Sequence, residues 1–288
     1  MSDLLNTLED LFHKLEYKEI QEIEQVLIET TGLADPAPIL RTLINDPFIA
    51  AHYRLDVIVT TVDALYGAQQ LDEHDESVKQ AALANHLIMT KIDLVDEATL
   101  VALKQHMRRI NPTALIHEAN LSQLTLNAGT LFDTGYYDPE TRRLDVARWL
   151  QADVYIENQQ HSYKTGHNQT HDPYIKTFCI EHRTPLHWLI LERWIQLLTR
   201  LRGKDLLRVK GIAYTYETDL PVIIQGVQHI FQPPVTLDAW PSDDRCSQIV
   251  FITRHLDKTV IERVLYALIG SQTAVDVCYA ALILLGQE

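Results

Sequence analysis

The chain has 288 residues, which is enough for two domains with separate hydrophobic cores. Its formal net charge of −14 disfavours nucleic acid and acidic lipid surfaces as main partners. The three cysteines form no C-x-x-C pair, and the apolar run at 279–285 is far shorter than a membrane helix. We therefore expect a cytoplasmic protein that has no disulfide framework and does not span a membrane.

The N-terminal half alternates predicted helices with short apolar strands. Leucines at three- and four-residue spacing predict an amphipathic helix over 4–15, and the apolar run 26–28 predicts a buried strand that ends at Glu29. Further elements follow in alternation, the strands at 56–62, 87–89 and 114–117 and the helices at 38–43, 64–84 and 98–110. This pattern predicts an α/β domain with a parallel sheet covered on both faces.

The pattern changes in the second half of the chain. Glycines, Asp138-Pro139 and a polar run indicate a connection before residue 173. Strands and helices that do not alternate regularly follow, the strands at 174–181, 206–216, 221–227 and 248–253 and the helices at 186–202 and 258–269. We therefore predict an α/β domain over 1–150, a polar linker over 151–172 and a smaller α+β domain over 173–288.

The stretch from Val26 to Pro36 predicts one side of a nucleotide site. A strand that ends in Glu29 and is followed by a Thr-Thr-Gly turn presents a carboxylate to phosphate or Mg²⁺. Asp35 and Pro36 also form an ordinary N-cap and first-turn pair, which needs no ligand. For these two residues we favour the structural role, whereas for Glu29 either role fits.

A second motif, Thr90-Lys91-Ile92-Asp93, has the form of the guanine-specificity box of GTPases. The Asp93 carboxylate can accept hydrogen bonds from guanine N1 and from its exocyclic amine, while the stem of Lys91 packs on the base. Adenine lacks that donor pair, so the acid would select GTP. A Lys-x-Asp after a strand is also a common polar loop, and the motif gains weight by following the strand that ends at Glu29 after one βα unit.

Together the two motifs resemble the CobW-like family of GTP-binding metal chaperones, in the SIMIBI class of P-loop GTPases. The stretch 29–36 is similar to the family's Walker B segment and 90–93 to its guanine box. Three later segments are similar to its C-terminal domain, at 206–211, 225–229 and 240–241. The resemblance implies a partial parallel-sheet P-loop GTPase-like domain followed by a smaller α+β CobW C-terminal domain.

The resemblance also implies roles for individual residues. Glu29 would help position Mg²⁺, and the Gly32 amide would lie near the γ-phosphate of GTP, where a side chain would collide. Lys91 and Asp93 would hold guanine. Thr90 replaces the commoner Asn, and its hydroxyl can still tie neighbouring loops together.

Two motifs of the family do not occur in these 288 residues. A P-loop needs G-x-x-x-x-G-K-[ST], but only Gly203 is followed by Lys, and Leu198 and Asp205 occupy the first Gly and the Ser/Thr positions. The family's Cys-x-Cys-Cys metal motif is missing as well. We therefore expect an N-terminally truncated member in which GTP binding and hydrolysis by this chain alone are impaired.

His161, His167 and His171 resemble the His-rich segment that family members carry between their domains, and imidazoles can bind Zn²⁺. Their spacings of six and four residues fit solvated linker residues better.

Two functions stay open at this point. One is a GTP-dependent metal chaperone or insertase, for zinc, that acts on a client metalloprotein. The other is a non-hydrolysing remnant that acts as a protein-interaction or weak metal-binding module. In either case a truncated sheet would leave an edge and an apolar surface uncovered, so we expect self-association through that edge.

Overall fold

The computed structural model describes residues 2–119, 131, 174–241 and 243–270. The first part contains α1 (Ser2–Glu16), α2 (Pro36–Asn45), α3 (Pro47–His52), β1 (Val59–Asp63), α4 (Gly67–Glu73), α5 (Asp75–Leu83), β2 (His86–Thr90), a 3₁₀ turn (Ile92–Leu94), α6 (Glu97–Ile110) and β3 (Leu115–Glu118). The second part contains β4 (Ile175–His182), α7 (Trp188–Arg202), β5 (Leu206–Thr215), β6 (Thr218–Val227), β7 (Ile230–Phe231), β8 (Val235–Thr236), β9 (Ser247–Arg254) and α8 (Lys258–Ile269). Within these ranges no helix has the length and hydrophobicity that a membrane crossing requires.

Strands β1, β2 and β3 form a parallel sheet in that order, which confirms three of the predicted strands. One face of this sheet is buried under α4, α5 and α6, and its core includes Val62, Leu87 and Met89. The opposite face is open at β1, where Val59 is 36% exposed and Thr61 is exposed too. The prediction of a sheet covered on both faces is therefore wrong at β1.

The predicted strand at 26–28 is also wrong. Residues 20–30 make no backbone hydrogen bond with the described residues, and Leu27 is 77% exposed. An apolar run becomes a strand only when a neighbouring strand takes its backbone hydrogen bonds. The chain on either side is held elsewhere, since Tyr53 donates its hydroxyl hydrogen to the Leu8 carbonyl of α1 and the residues just after 30 are tied to α5.

Helix α2 ends where the sequence predicts, but a short helix that was not predicted follows it directly. The Asp35 carboxylate accepts a hydrogen bond from the Ala37 amide at 3.0 Å and caps the start of α2. Asp46 then ends α2 and caps α3, accepting from the Phe48 and Ile49 amides at 3.0 and 3.1 Å. Asp46 therefore both ends one helix and starts the next one.

The C-terminal sheet is antiparallel, in the order β4-β9-β5-β6-β7, with β8 paired to β6. Helices α7 and α8 cover one of its faces, where the Trp194 indole is fully buried and donates to the Ile261 carbonyl at 3.1 Å. Cys179 and Cys246 are buried and form no disulfide, and burial raises the pKa of the Cys179 thiol to about 12. The α/β and α+β classes of the two parts are confirmed.

The two parts share a packed joint at the end of α5. Leu207 and Ile252 of the C-terminal sheet belong to the same hydrophobic core as the parallel sheet. The side-chain amide of Asn111, which is fully buried, lies 2.9, 3.0 and 2.9 Å from three carbonyls at the end of α5, those of Ala81, Ala82 and Ala84. Asn111 thus satisfies carbonyls that a helix end leaves without partners.

We expect Asn111→Ala to lower the free energy of unfolding by about 3 kcal/mol, because buried carbonyls lose their donor. Urea denaturation of the full chain measures this change. Asn6→Ala on the exposed side of α1 is the matched control and should stay within about 0.5 kcal/mol of the parent. A loss below about 1 kcal/mol for Asn111→Ala would contradict this role.

Candidate functional site at the carboxyl ends of the parallel strands

The carboxyl ends of β1 and β2 lie side by side. Their parallel register places Asp63 opposite Thr90, and the Ala64 amide donates to the Thr90 carbonyl at 2.9 Å. The Thr90 hydroxyl reaches the Val62 carbonyl at 3.5 Å, a long hydrogen bond that ties the two strand ends together. The predicted guanine box therefore starts at the point where parallel-sheet proteins usually bind ligands.

Asp63 organises this end of the sheet. One carboxylate oxygen accepts from the amides of Leu65 and Tyr66 at 2.8 and 3.3 Å, and the other accepts from the Lys91 ammonium at 2.5 Å. Burial alone would raise the pKa of Asp63, but the hydrogen bonds from Lys91 and from the two amides outweigh it, so the pKa is lowered. Asp63 is therefore a carboxylate at neutral pH and holds both its own turn and the neighbouring lysine.

Lys91 adopts a left-handed backbone conformation, with φ 56° and ψ 32°. Such a conformation costs a non-glycine residue free energy and indicates that its surroundings hold it there. The hydrogen bond to Asp63 raises the pKa of the Lys91 ammonium, whose side chain is 51% exposed. The stem of Lys91 is thereby held along the strand ends, as a platform for a planar base requires.

Asp93 lies in the 3₁₀ turn that follows, and its side chain is exposed. Its carboxylate forms no hydrogen bond or ion pair with the part of the chain that the structure describes. Both oxygens of Asp93 can therefore accept hydrogen bonds from a ligand that lies next to Lys91.

The Gly32 loop, residues 31–35, is tied to α5. The Gln80 amide donates to the carbonyls of Gly32 and Ala34 at 3.0 and 2.8 Å, and the Lys79 ammonium donates to the Asp35 carboxylate at 2.6 Å. A Cβ atom added at Gly32 would meet nothing within 4 Å, so the protein itself has room for a side chain there. The predicted N-cap role of Asp35 is confirmed.

The sequence predicted Glu29 at the tip of a strand, and the structure shows that this prediction is wrong. Glu29 lies in an exposed segment without regular secondary structure before the Gly32 loop and pairs with none of the described residues. The structure thus brings Thr90 and Lys91 together with Asp63 and leaves Glu29 outside this cluster. A role for Glu29 in ligand binding remains a prediction.

Three residues that shape the site were not singled out from the sequence, namely Asp63, Lys79 and Gln80. Asp63 carries a visible signal, because an acid that closes an apolar strand parallels the pattern at Glu29. Lys79 and Gln80 are polar residues of a helix whose other side is buried, and no local pattern separates them from ordinary surface residues.

Metal ligands are not gathered in the described residues, which contain no cluster of three or more His, Cys, Asp or Glu side chains suited to a metal ion. The predicted zinc ligands His161, His167 and His171 lie outside the described residues.

We expect Lys91→Met to raise the pKa of Asp63, because burial of the carboxylate is then opposed only by the two amides. Carbon-detected NMR titration of the Asp63 carboxyl measures the shift. Lys104→Met, which removes the partner of Glu118 at the neighbouring strand end, is the control and should leave Asp63 unchanged. An unaltered Asp63 titration in Lys91→Met would show that the ion pair does not form in solution.

Two family profiles match the chain. The nucleotide-binding domain of CobW/HypB/UreG matches residues 1–118, and the C-terminal domain of the cobalamin synthesis protein CobW matches residues 175–269. The zinc chaperone YjiA of Escherichia coli is 26% identical over 251 residues, which are 87% of this chain and 72% of YjiA. The zinc-regulated GTPase metalloprotein activator 1 of Saccharomyces cerevisiae is 27% identical over 278 residues, 85% of this chain and 62% of the yeast protein.

The fold matches a solved structure as well. The crystal structure of the Zn(II)-bound YjiA GTPase from E. coli aligns with a TM-score of 0.68 and 25% identity, covering 90% of this chain and 75% of that one. The matches to both domain profiles, in the same order as the two sheets, show that this chain belongs to the CobW family.

Proposed function

We propose that this chain acts as a zinc chaperone or insertase of the CobW type. We also propose that its residues 90–93 bind the guanine base of GTP. The observation that carries the proposal is the carboxyl end of β1 and β2, where Asp63 holds Lys91 beside the exposed Asp93. The names of two relatives also support it, since one is a zinc chaperone and the other a zinc-regulated GTPase metalloprotein activator.

A guanine base fits the side chains of Lys91 and Asp93. Guanine offers two adjacent donors, its N1 hydrogen and its exocyclic amine, and a carboxylate is the side chain that accepts from both. Asp93 is exposed and its oxygens accept no hydrogen bond from the described residues, while Lys91 presents an alkyl stem on which a planar ring can lie. Hydrogen bonds to a charged acceptor are worth about 1.5–3 kcal/mol each, which is enough for selectivity over adenine.

The triphosphate fits this chain less well. No G-x-x-x-x-G-K-[ST] segment occurs in the 288 residues. In the Gly32 loop the nearby cation, Lys79, is already paired with Asp35, and Gln80 binds loop carbonyls instead of presenting donors to a ligand. Glu29, proposed to position Mg²⁺ through water, adds negative charge. We therefore propose that the phosphates of GTP contribute little to binding by this chain alone.

Zinc is the proposed cargo and a client metalloprotein the proposed partner. Both come from the relatives' names, and His161, His167 and His171 remain the proposed zinc-binding residues. Among the described strands β1 lies at the edge of the parallel sheet, and Val26, Leu27 and Ile28 are exposed. Both observations support the proposal that the chain associates with itself through this edge.

The second candidate is a non-hydrolysing remnant that acts through its C-terminal domain. The same open edge and the lack of a phosphate-binding motif favour it. The two candidates differ in one property of the chain by itself: a remnant has no need to recognise guanine, whereas the first candidate keeps base recognition.

We expect Asp93→Asn to weaken guanosine monophosphate binding about 100-fold and to favour xanthosine monophosphate, because an amide pairs one donor and one acceptor with xanthine. Calorimetry on the full chain, or ligand-observed NMR if binding is weak, measures both nucleotides. Glu97→Gln, another exposed acid nearby, is the control and should change neither affinity.

In the parent chain, Mg²⁺-GTP should bind no more than about tenfold tighter than guanosine monophosphate, which amounts to 1.4 kcal/mol. Equal affinity of the chain for guanosine and adenosine monophosphates would overturn base recognition. The non-hydrolysing remnant would then be the candidate that fits. Micromolar binding of Mg²⁺-GTP by this chain would overturn both the remnant and the proposed weakness of the phosphate side.

A further inference from the structure

Helix α5 is bound at both of its ends by arginines of the C-terminal sheet. Near its start, Arg254 donates to the Asp75 carboxylate at 2.5 Å, and this hydrogen bond lowers the pKa of Asp75. At its end, Arg208 donates to the carbonyls of Leu83 and Ala84 at 2.6 and 2.7 Å. The two arginines come from neighbouring strands, β5 and β9, so the C-terminal sheet contacts the helix at both ends.

Between these two ends, the same helix holds the Gly32 loop. Gln80 binds the carbonyls of Gly32 and Ala34 through its side-chain amide, and Lys79 pairs with Asp35. These contacts come from the middle of α5, whereas the arginines bind its termini. The Gly32 loop and the C-terminal sheet are therefore both bound to α5, and this link does not require a direct contact between them.

The helix is also anchored to the candidate base site. The backbone carbonyl of Gln80 accepts from the Thr60 hydroxyl of β1 at 2.9 Å, and β1 ends at Asp63. An α-helix of nine residues is about 13 Å long and stiff over that length. A displacement imposed on one group of its contacts is passed to the others, since packed elements move as units.

We propose that α5 couples the Gly32 loop to the C-terminal sheet, with Lys79 and Gln80 as positioning residues for the loop and Arg208 and Arg254 as the residues that fix the helix. The functional meaning of this coupling rests on the proposed function, in which the loop lies on the phosphate side of the nucleotide. A ligand that moves the loop would then shift β5 and β9. A partner bound to the C-terminal sheet would shift the loop in return, because coupling between two sites is reciprocal.

Hydrogen exchange in the full chain, without any nucleotide, tests the coupling. The Ala34 amide donates to the Thr31 carbonyl at 3.0 Å and reports opening of the loop. Gln80→Met should speed exchange of this amide about tenfold, since the loop loses two hydrogen bonds. Arg254→Met should speed it about threefold, which is the size expected for an ion pair at the surface.

Arg254→Lys keeps the positive charge and should restore most of the protection of the Ala34 amide. Arg183→Met is the control, because Arg183 forms a similar exposed ion pair with Asp244 away from α5. Exchange at Ala34 that stays within twofold of the parent in Arg254→Met would overturn the coupling, and so would an equal response in Arg183→Met. Since no nucleotide is present, either result leaves the test of base recognition by Asp93 unaffected.

Discussion

The parallel pairing of β1 with β2 is the constraint on which the candidate site depends. It places Asp63 opposite Thr90, so that an acid and a guanine-box motif from different βα units meet at one end of the sheet. Asp63 then does three things at once: it closes the turn after β1, it neutralises Lys91, and it keeps the stem of that lysine along the strand ends. A shift of one residue in this register would turn Asp63 to the other face of the sheet and leave Lys91 without its partner.

The second feature that organises the molecule is the set of contacts around α5. Its last carbonyls are satisfied by Asn111 from the parallel-sheet part and by Arg208 from the C-terminal sheet. Two domains that are matched by separate family profiles are thus joined through hydrogen bonds to one helix end as well as through a shared core. The interface is therefore specific, because the buried Arg208 guanidinium and the carbonyls of Leu83 and Ala84 need each other as hydrogen-bond partners.

Much of the fold follows from local patterns in the sequence. Short apolar runs predicted β1, β2 and β3, and helical periodicity predicted α1, α6, α7 and α8 within a few residues. The single helix predicted over 64–84 is divided into α4 and α5. The apolar run at 26–28 shows the limit of such patterns, because hydrophobicity does not tell whether a neighbouring strand is available. The ion pair between Asp63 and Lys91 could not be predicted either, since it joins residues that are close only once the sheet has its register.

The sequence predicted the part of the candidate site proposed to bind the base, but not the contacts of the part proposed to face the phosphates. Residues 90–93 carry a motif whose chemistry can be read from the side chains alone, and the fold places it at a strand end. The contacts of Lys79 and Gln80 with the Gly32 loop depend on how α5 packs, which no local pattern encodes. Among the described residues, the side chains of Lys79 and Gln80 bind the Gly32 loop, whereas the Asp93 carboxylate binds none of them.

The proposed site requires that a guanine base binds at the carboxyl ends of β1 and β2. NMR mapping on the isotopically labelled full chain, titrated with guanosine monophosphate, tests this most directly. We expect saturable shifts of the amides of Leu65, Tyr66 and residues 91–94, with little change in β4 or β9. Shifts confined to other surfaces, or none at nucleotide concentrations of about 10 mM, where even a Kd of 1 mM would give near-saturation, would contradict it.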